Sequence, residues 1–266
     1  MLLRKLNYKF QKSDHRDHLF ISHLDVTPQK QLNSKTIVSN TKTLPTSFSI
    51  RSLVSPILNQ GSVGNCVSNA YALAISTMTK NKVNMSRLFH YAITRIIEDT
   101  PLSEDSGLYV RDGASSIRSY GVVSESTWPY ITNNFSVFPP LAAFRGSNYF
   151  KNFSYTFVNQ SLNSLKQCLI TNKKPIVFGF NVYSSFMTQN VENTGLVPVP
   201  NANSETLEGG HCIIIVGYDD TKNGGSFICA NSWGTGWGDK GFCYIPYTYL
   251  TNPAFASDFC YLSFTY

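Results

Sequence analysis

The spacing of apolar positions changes along this chain, and the change divides it in two. After Gln60-Gly61-Ser62-Val63-Gly64-Asn65, the residues Val67, Ala70, Tyr71, Ala74 and Met78 recur at helical intervals, which predicts a helix starting at Cys66. Asn65 can cap it, and Gly61 and Gly64 suit a tight turn before it. The small residues Ser68, Ala70, Ala72, Ala74 and Ser76 let other elements approach closely, so this reads as a buried central helix. Further helices are predicted over about 85–98, over about 107–120 with a stop at Gly121, and around Leu162, Leu165, Cys168 and Leu169 before Pro175. The period then shortens. Residues 175–182, 211–218, 226–231 and 241–245 read as strands, bounded by turns such as Asp219 to Gly225. Helices first and strands second predict an α+β protein with a helical lobe over about 60–130 and a β lobe over about 131–266. Residues 1–45 are polar and weakly periodic, and Leu44-Pro45-Thr46 separates this extension from the body, 46–266.

Composition narrows the class. With 266 residues, 42% of them hydrophobic, and with 15 Tyr and 18 Phe, the chain can bury a real core and is globular. Its net charge is +6, and much of this lies early, in Arg4, Lys5, Lys9, Lys12, Arg16, Lys30, Lys35 and Lys42. These read as a solvated basic segment. They are not interleaved with aromatics as a nucleic-acid surface would be, so neither nucleic acid nor membrane is expected as a partner, and a monomer is favoured. The first residues turn polar at once, with no apolar h-region, and Cys212 to Val216 is strand-sized. No signal peptide or membrane span is therefore expected, and an intracellular or particle-associated site is. None of the 6 cysteines forms a C-x-x-C pair, so no structural zinc is expected and free buried thiols are. Neither a metal nor an organic cofactor is implied.

Candidate chemistry centres on a cysteine. A cysteine nucleophile needs something to favour thiolate, a base to share its proton, and donors for an oxyanion. Cys66 opens a predicted helix, where unpaired N–H groups stabilise negative charge, and Gln60 on the loop before it can offer a side-chain N–H. A cysteine at a helix start is, on its own, more often structural. Of the 5 histidines, His15, His18 and His23 lie in the polar extension, and His90 sits inside a helix as a satisfied, partly buried residue. His211 remains, at the head of an apolar strand. The next strand ends in Asn231-Ser232-Trp233-Gly234-Thr235-Gly236-Trp237-Gly238. Asn231 can accept one ring N–H and fix the tautomer, and Trp233 can roof that bond, although core packing alone would also explain both tryptophans.

Taken together, Gln60 to Cys66, Gly210-His211, Asn231-Ser232-Trp233-Gly234 and Gly236-Trp237-Gly238 resemble the papain/cathepsin cysteine peptidases, over about 44–266. Glu125-Ser126-Thr127-Trp128-Pro129-Tyr130 fits a family segment as well. The resemblance implies a two-lobe fold, with a helical lobe whose central helix starts at the nucleophile and a β-barrel-like second lobe. It implies hydrolysis of protein or peptide substrates through a thioester, with Cys66, His211 and Asn231 as a triad and Gln60 in the oxyanion hole. Gly107 falls near the family's substrate-backbone glycine. Leu108, Gly179 and Cys212 fall near its main specificity pocket, implying an apolar preference, and Trp233 borders the site. Val63 stands where most relatives have a cysteine, and Val67 replaces an aromatic, so the chain looks closer to bacterial and large-virus members than to lysosomal ones. No His-His loop is evident, which favours an endopeptidase. Residues 1–45 replace a long helical propeptide, either lying across the cleft or packing on the surface as an ordered arm. A non-catalytic peptide-binding protein and an acyl transferase using the same triad are the alternatives.

Overall fold

The computed structural model describes residues 4–12, 14, 15, 17–25 and 43–266. Helix α1, Cys66–Met78, is buried at every position but Met78. It can be so because its small residues leave room on all sides. Tyr71, the exception in size, spends its hydroxyl on the Val110 carbonyl, 2.8 Å away. Helix α2, Arg87–Ile97, is capped by Ser86, whose Oγ accepts the Phe89 N–H at 3.2 Å. Helix α3, Val110–Tyr120, follows, and Gly121 ends it with φ 71°. His90 ties the three together. Its Nε2–H donates to the Gly113 carbonyl (2.9 Å), which leaves Nδ1 to accept from the Ser68 hydroxyl (2.8 Å). Burial holds this ring neutral, its pKa lowered to about 4.

Among the described residues, eight strands form one sheet. They are β2 (Leu19–Phe20), β3 (Ser47–Ser49), β5 (Lys151–Val158), β6 (Ile176–Tyr183), β7 (Leu207–Asp219), β8 (Ser226–Ala230), β9 (Phe242–Pro246) and β10 (Ala256–Thr265). Their order is β2-β5-β10-β6-β7-β8-β9, with β3 also on β7. The uninterrupted apolar run of β7 has a simple cause: both its faces are buried. Cys212, Ile214 and Val216 pack in the core around α1, while Ile213 and Ile215 pack in a second core with Phe178, Phe180, Trp237 and Phe259. A third cluster, with Leu88, Phe89, Ile93 and Trp128, belongs to the helical lobe.

Three expectations are adjusted. The helix expected from 107 starts at Val110, because Leu108–Tyr109 is extended (β4) and pairs in parallel with β1, Tyr8–Lys9. Asn65 makes no side-chain cap. Its Oδ1 is already taken by Tyr130 Oη and Asn69 Nδ2, both at 2.8 Å. Strands β5 and β10 are additions to the expected set, and β5 does alternate, Phe153, Tyr155 and Phe157 against Asn152, Ser154 and Thr156. All six cysteines are free and buried. Among the described residues no helix is long and apolar enough to cross a membrane.

Candidate active site

The fold brings the start of α1 against the strands that carry the histidine and the asparagine. β7 and β8 are antiparallel neighbours, with Ile214 opposite Ala230, so His211 and Asn231 come together at one end of the pair. His211 Nε2–H donates to Asn231 Oδ1 at 2.9 Å. The same oxygen accepts the Ser232 N–H at 2.8 Å, which fixes which way the amide points. Trp233 stacks on the imidazole at 4.9 Å and 26°. His211 Nδ1 is buried with no hydrogen-bond partner. Burial pushes the imidazole pKa down to about 4; the Asn231 bond opposes this, and the charge of Arg4 adds to it. Burial likewise pushes the Cys66 thiol up to about 12, against the backbone amides of Cys212, Val67, Asn7 and Cys66 itself. In this form both groups are neutral near pH 7.

Gln60 is fully buried and held from several sides. Its Oε1 accepts from Ser232 Oγ (2.6 Å), its N–H donates to the Ser232 carbonyl (2.8 Å), and Tyr130 Oη shares its one proton between the Gln60 carbonyl and Asn65 Oδ1 (2.8 Å each). The antiparallel bridge between Asn59 and Trp233 joins this loop to the segment that follows Asn231. The two halves of the site are thus zipped together by backbone.

The cleft is not empty. Residues 4–12 lie along it as an extended arm. Asn7 bridges Gly210 in parallel, and Tyr8 and Lys9 pair with β4. Gln60 Nε2 donates to the Lys5 carbonyl at 3.3 Å. Gly107, at φ 75°, passes so close to the arm that a Cβ there would lie 1.5 Å from the Asn7 oxygen. Three of the arm's basic residues, expected to be solvated, are paired instead with carboxylates of both lobes: Arg4 with Glu192 (2.9 Å), Lys5 with Asp105 (2.7 Å) and Lys9 with Glu98 (2.9 Å), whereas Lys12 is exposed as expected. Arg16, Lys30, Lys35 and Lys42 lie outside the described residues. Tyr8 enters the space bordered by Leu108, Gly179 and Cys212, where its hydroxyl meets Ser257 Oγ (3.0 Å) and Asp258 Oδ2.

Every residue singled out from the sequence therefore lies at one cleft. Three that were not singled out are Tyr8, Asp105 and Asp258. Asp105 accepts the Gly64 N–H at 3.0 Å and Tyr91 Oη at 2.6 Å, and so holds the loop two residues before Cys66. Only Tyr8 carried a sequence signal, as an aromatic in a polar stretch.

The family model for papain family cysteine proteases matches residues 44–258. The chain belongs to that family. This peptidase is 36% identical, over 215 residues, to an uncharacterised peptidase C1-like protein of Acanthamoeba polyphaga mimivirus, covering 76% of this chain and 68% of that one. Among solved structures it resembles xylellain, a cysteine protease from Xylella fastidiosa, with TM-score 0.82 and 29% identity over 100% of this chain and 98% of that one. A procathepsin B from Trypanosoma congolense shares the fold at TM-score 0.66 and 16% identity, over 98% and 86% of the two chains. The peptidase is a hydrolase of protein or peptide substrates with a two-lobe α+β fold, and its viral and bacterial relatives agree with the reading drawn from Val63 and Val67.

Proposed function

We propose that this peptidase is a Cys66–His211–Asn231 endopeptidase held latent by its own N-terminal arm. The observation that carries the reading is the imidazole of His211, fixed by Asn231 under Trp233 with Nδ1 left unpartnered, while the backbone amide of the next residue, Cys212, reaches the Cys66 sulfur. Once the arm leaves, Cys66 passes its proton to Nδ1 and the thiolate attacks the substrate carbonyl carbon. Gln60 Nε2–H and the Cys66 N–H donate to the developing oxyanion. The imidazolium then protonates the departing amine, leaving a thioester. His211 next takes a proton from water, the hydroxide attacks the thioester, and the acid leaves as the thiol is restored.

Latency rests on what the arm presents. Its Lys5 carbonyl already uses Gln60 Nε2, and the amide N–H of Asn7 donates to the sulfur. Burial beneath the arm also keeps thiol and imidazole neutral. The arm runs from Arg4, stacked 4.4 Å over Trp233, to Lys9 beside Tyr109. A polypeptide can thus pass Cys66 in both directions, which supports internal cleavage.

The test uses the full chain under reducing conditions with a thiol-directed epoxide, the adduct being mapped by mass spectrometry, alongside cleavage of a denatured protein. Tyr8→Ala should label at Cys66 at least tenfold faster than the parent and cleave the protein. Adding His211→Ala should abolish both. Cleavage that survives Cys66→Ala, or a Tyr8→Ala variant that neither labels nor cleaves, would overturn the reading.

A further inference from the structure

The pocket filled by Tyr8 has an acidic floor. Gly179 opens it: a Cβ there would sit 1.8 Å from Tyr8 Cζ, so only glycine admits the ring. Asp258 closes it. This residue lies in the irregularity of β10 between Ser257 and Cys260, at φ 60°. Such a bulge turns a side chain that regular pleating would send elsewhere. The Asp258 carboxylate has no ion pair among the described residues. Arg111, whose positive charge acts on it, is bonded to Asp17. Its hydrogen-bond donors are Tyr8 Oη, the Gln11 N–H at 3.5 Å and the neighbouring Ser257. Two of these three belong to the arm and go when it goes.

A partly buried carboxylate stripped of its donors is costly, and a site built to accept a hydrogen bond rejects an occupant that cannot give one. We infer that Asp258 makes this pocket select a substrate side chain ending in a hydrogen-bond donor, the phenol of tyrosine or the guanidinium of arginine, over an apolar one. The inference rests on the peptidase reading above and alters one expectation drawn from the resemblance, that Leu108, Gly179 and Cys212 would favour an apolar side chain. Those residues supply the walls, and Asp258, about 250 positions from Tyr8, supplies the choice. Phenylalanine fits the walls as well as tyrosine does but leaves the carboxylate bare.

The test takes the full chain with Tyr8→Ala and quenched peptides that differ only at the residue entering this pocket: Tyr, Arg, Phe or Leu. The Tyr and Arg peptides should exceed Phe and Leu in kcat/KM by about tenfold or more, the scale of one hydrogen bond to a charged group. Asp258→Leu should erase or reverse that order. Asp258→Asn tolerates the left-handed backbone and keeps an acceptor, so it should retain the Tyr preference and lose most of the Arg preference. Equal rates for Tyr and Phe, or ratios unchanged in Asp258→Leu, would overturn the inference. A second measurement separates its failure from failure of the peptidase reading. Hydrogen exchange of amides 6–10 in the parent chain should quicken about tenfold on Tyr8→Phe, but less than twofold when Asp258 is already Leu. That cycle needs no catalysis, and a Tyr8→Phe effect of equal size in both backgrounds would sink the pocket assignment even if every peptide is cleaved.

Discussion

His90 and His211 are both buried and both neutral, yet only one has an idle nitrogen. His90 uses Nδ1 on Ser68 and Nε2 on Gly113, so it has nothing left for chemistry. His211 uses Nε2 alone. Both pKa values lie near 4 in the fold, below the ordinary histidine value of 6.5. The unfolded chain therefore binds protons that the fold refuses, and stability present above about pH 6.5 is lost as pH falls towards 4. Calorimetry between pH 7 and 4 should show Tm falling across that window, with His90→Gln flattening part of the slope. At Gln60 the expected effect is kinetic: Gln60→Ala in a Tyr8→Ala background should lower kcat by about 10²–10³ with little change in KM, measured on a single peptide. That Cys66, His211, Asn231, Trp233 and Gln60 gather at one cleft was legible because each sits in a distinctive local run of the sequence. Asp105 and Asp258 were not. Nothing beside them in the chain announces a partner, and their roles arise from contacts with residues 4–9 that only the folded backbone brings near.

Elements were legible where burial is one-sided or complete, and less so where pairing decides. The helix of Cys66 and the strands β6 to β9 follow from apolar spacing. Leu108–Tyr109 does not, because it is extended only through pairing with β1 and through the turn at Gly107. The start of α2 depends on one side chain. Ser86 Oγ accepts from Phe89 N and donates to the Trp128 carbonyl at 2.8 Å, linking a cap to the helical-lobe core. Ser86→Ala should destabilise the fold by about 1–2 kcal/mol, read as a lower urea midpoint at unchanged slope.

Over the whole molecule, charge is distributed against the net sign. The chain carries +6, yet the walls of its cleft offer Glu98, Asp105, Glu192 and Asp258. The arm answers them with Arg4, Lys5 and Lys9, fastening Glu98 and Asp105 on the helical side and Glu192 on the β side. Side-chain exposure in these pairs ranges from 2% for Glu98 to 42% for Lys5, so salt reaches some of them more than others. Raising ionic strength from about 0.01 M to about 1 M should speed epoxide labelling of Cys66 in the parent chain, as the screening length shrinks from about 30 Å to 3 Å. A labelling rate indifferent to salt would assign closure to Tyr8 and the backbone pairing alone.

Tyr8 is 5% exposed and belongs to the same core cluster as Leu108, Cys212 and the apolar residues of α1. The plug is therefore also a piece of the interior. Whatever withdraws it wets a wall that the rest of the chain cannot cover, and loosens the join between the lobes. The unplugged enzyme should be the shorter-lived one, losing activity at a given temperature sooner than the plugged form loses its capacity to be activated. On the proposed latent reading, storage and action belong to different states of one chain, and the working state carries its own clock.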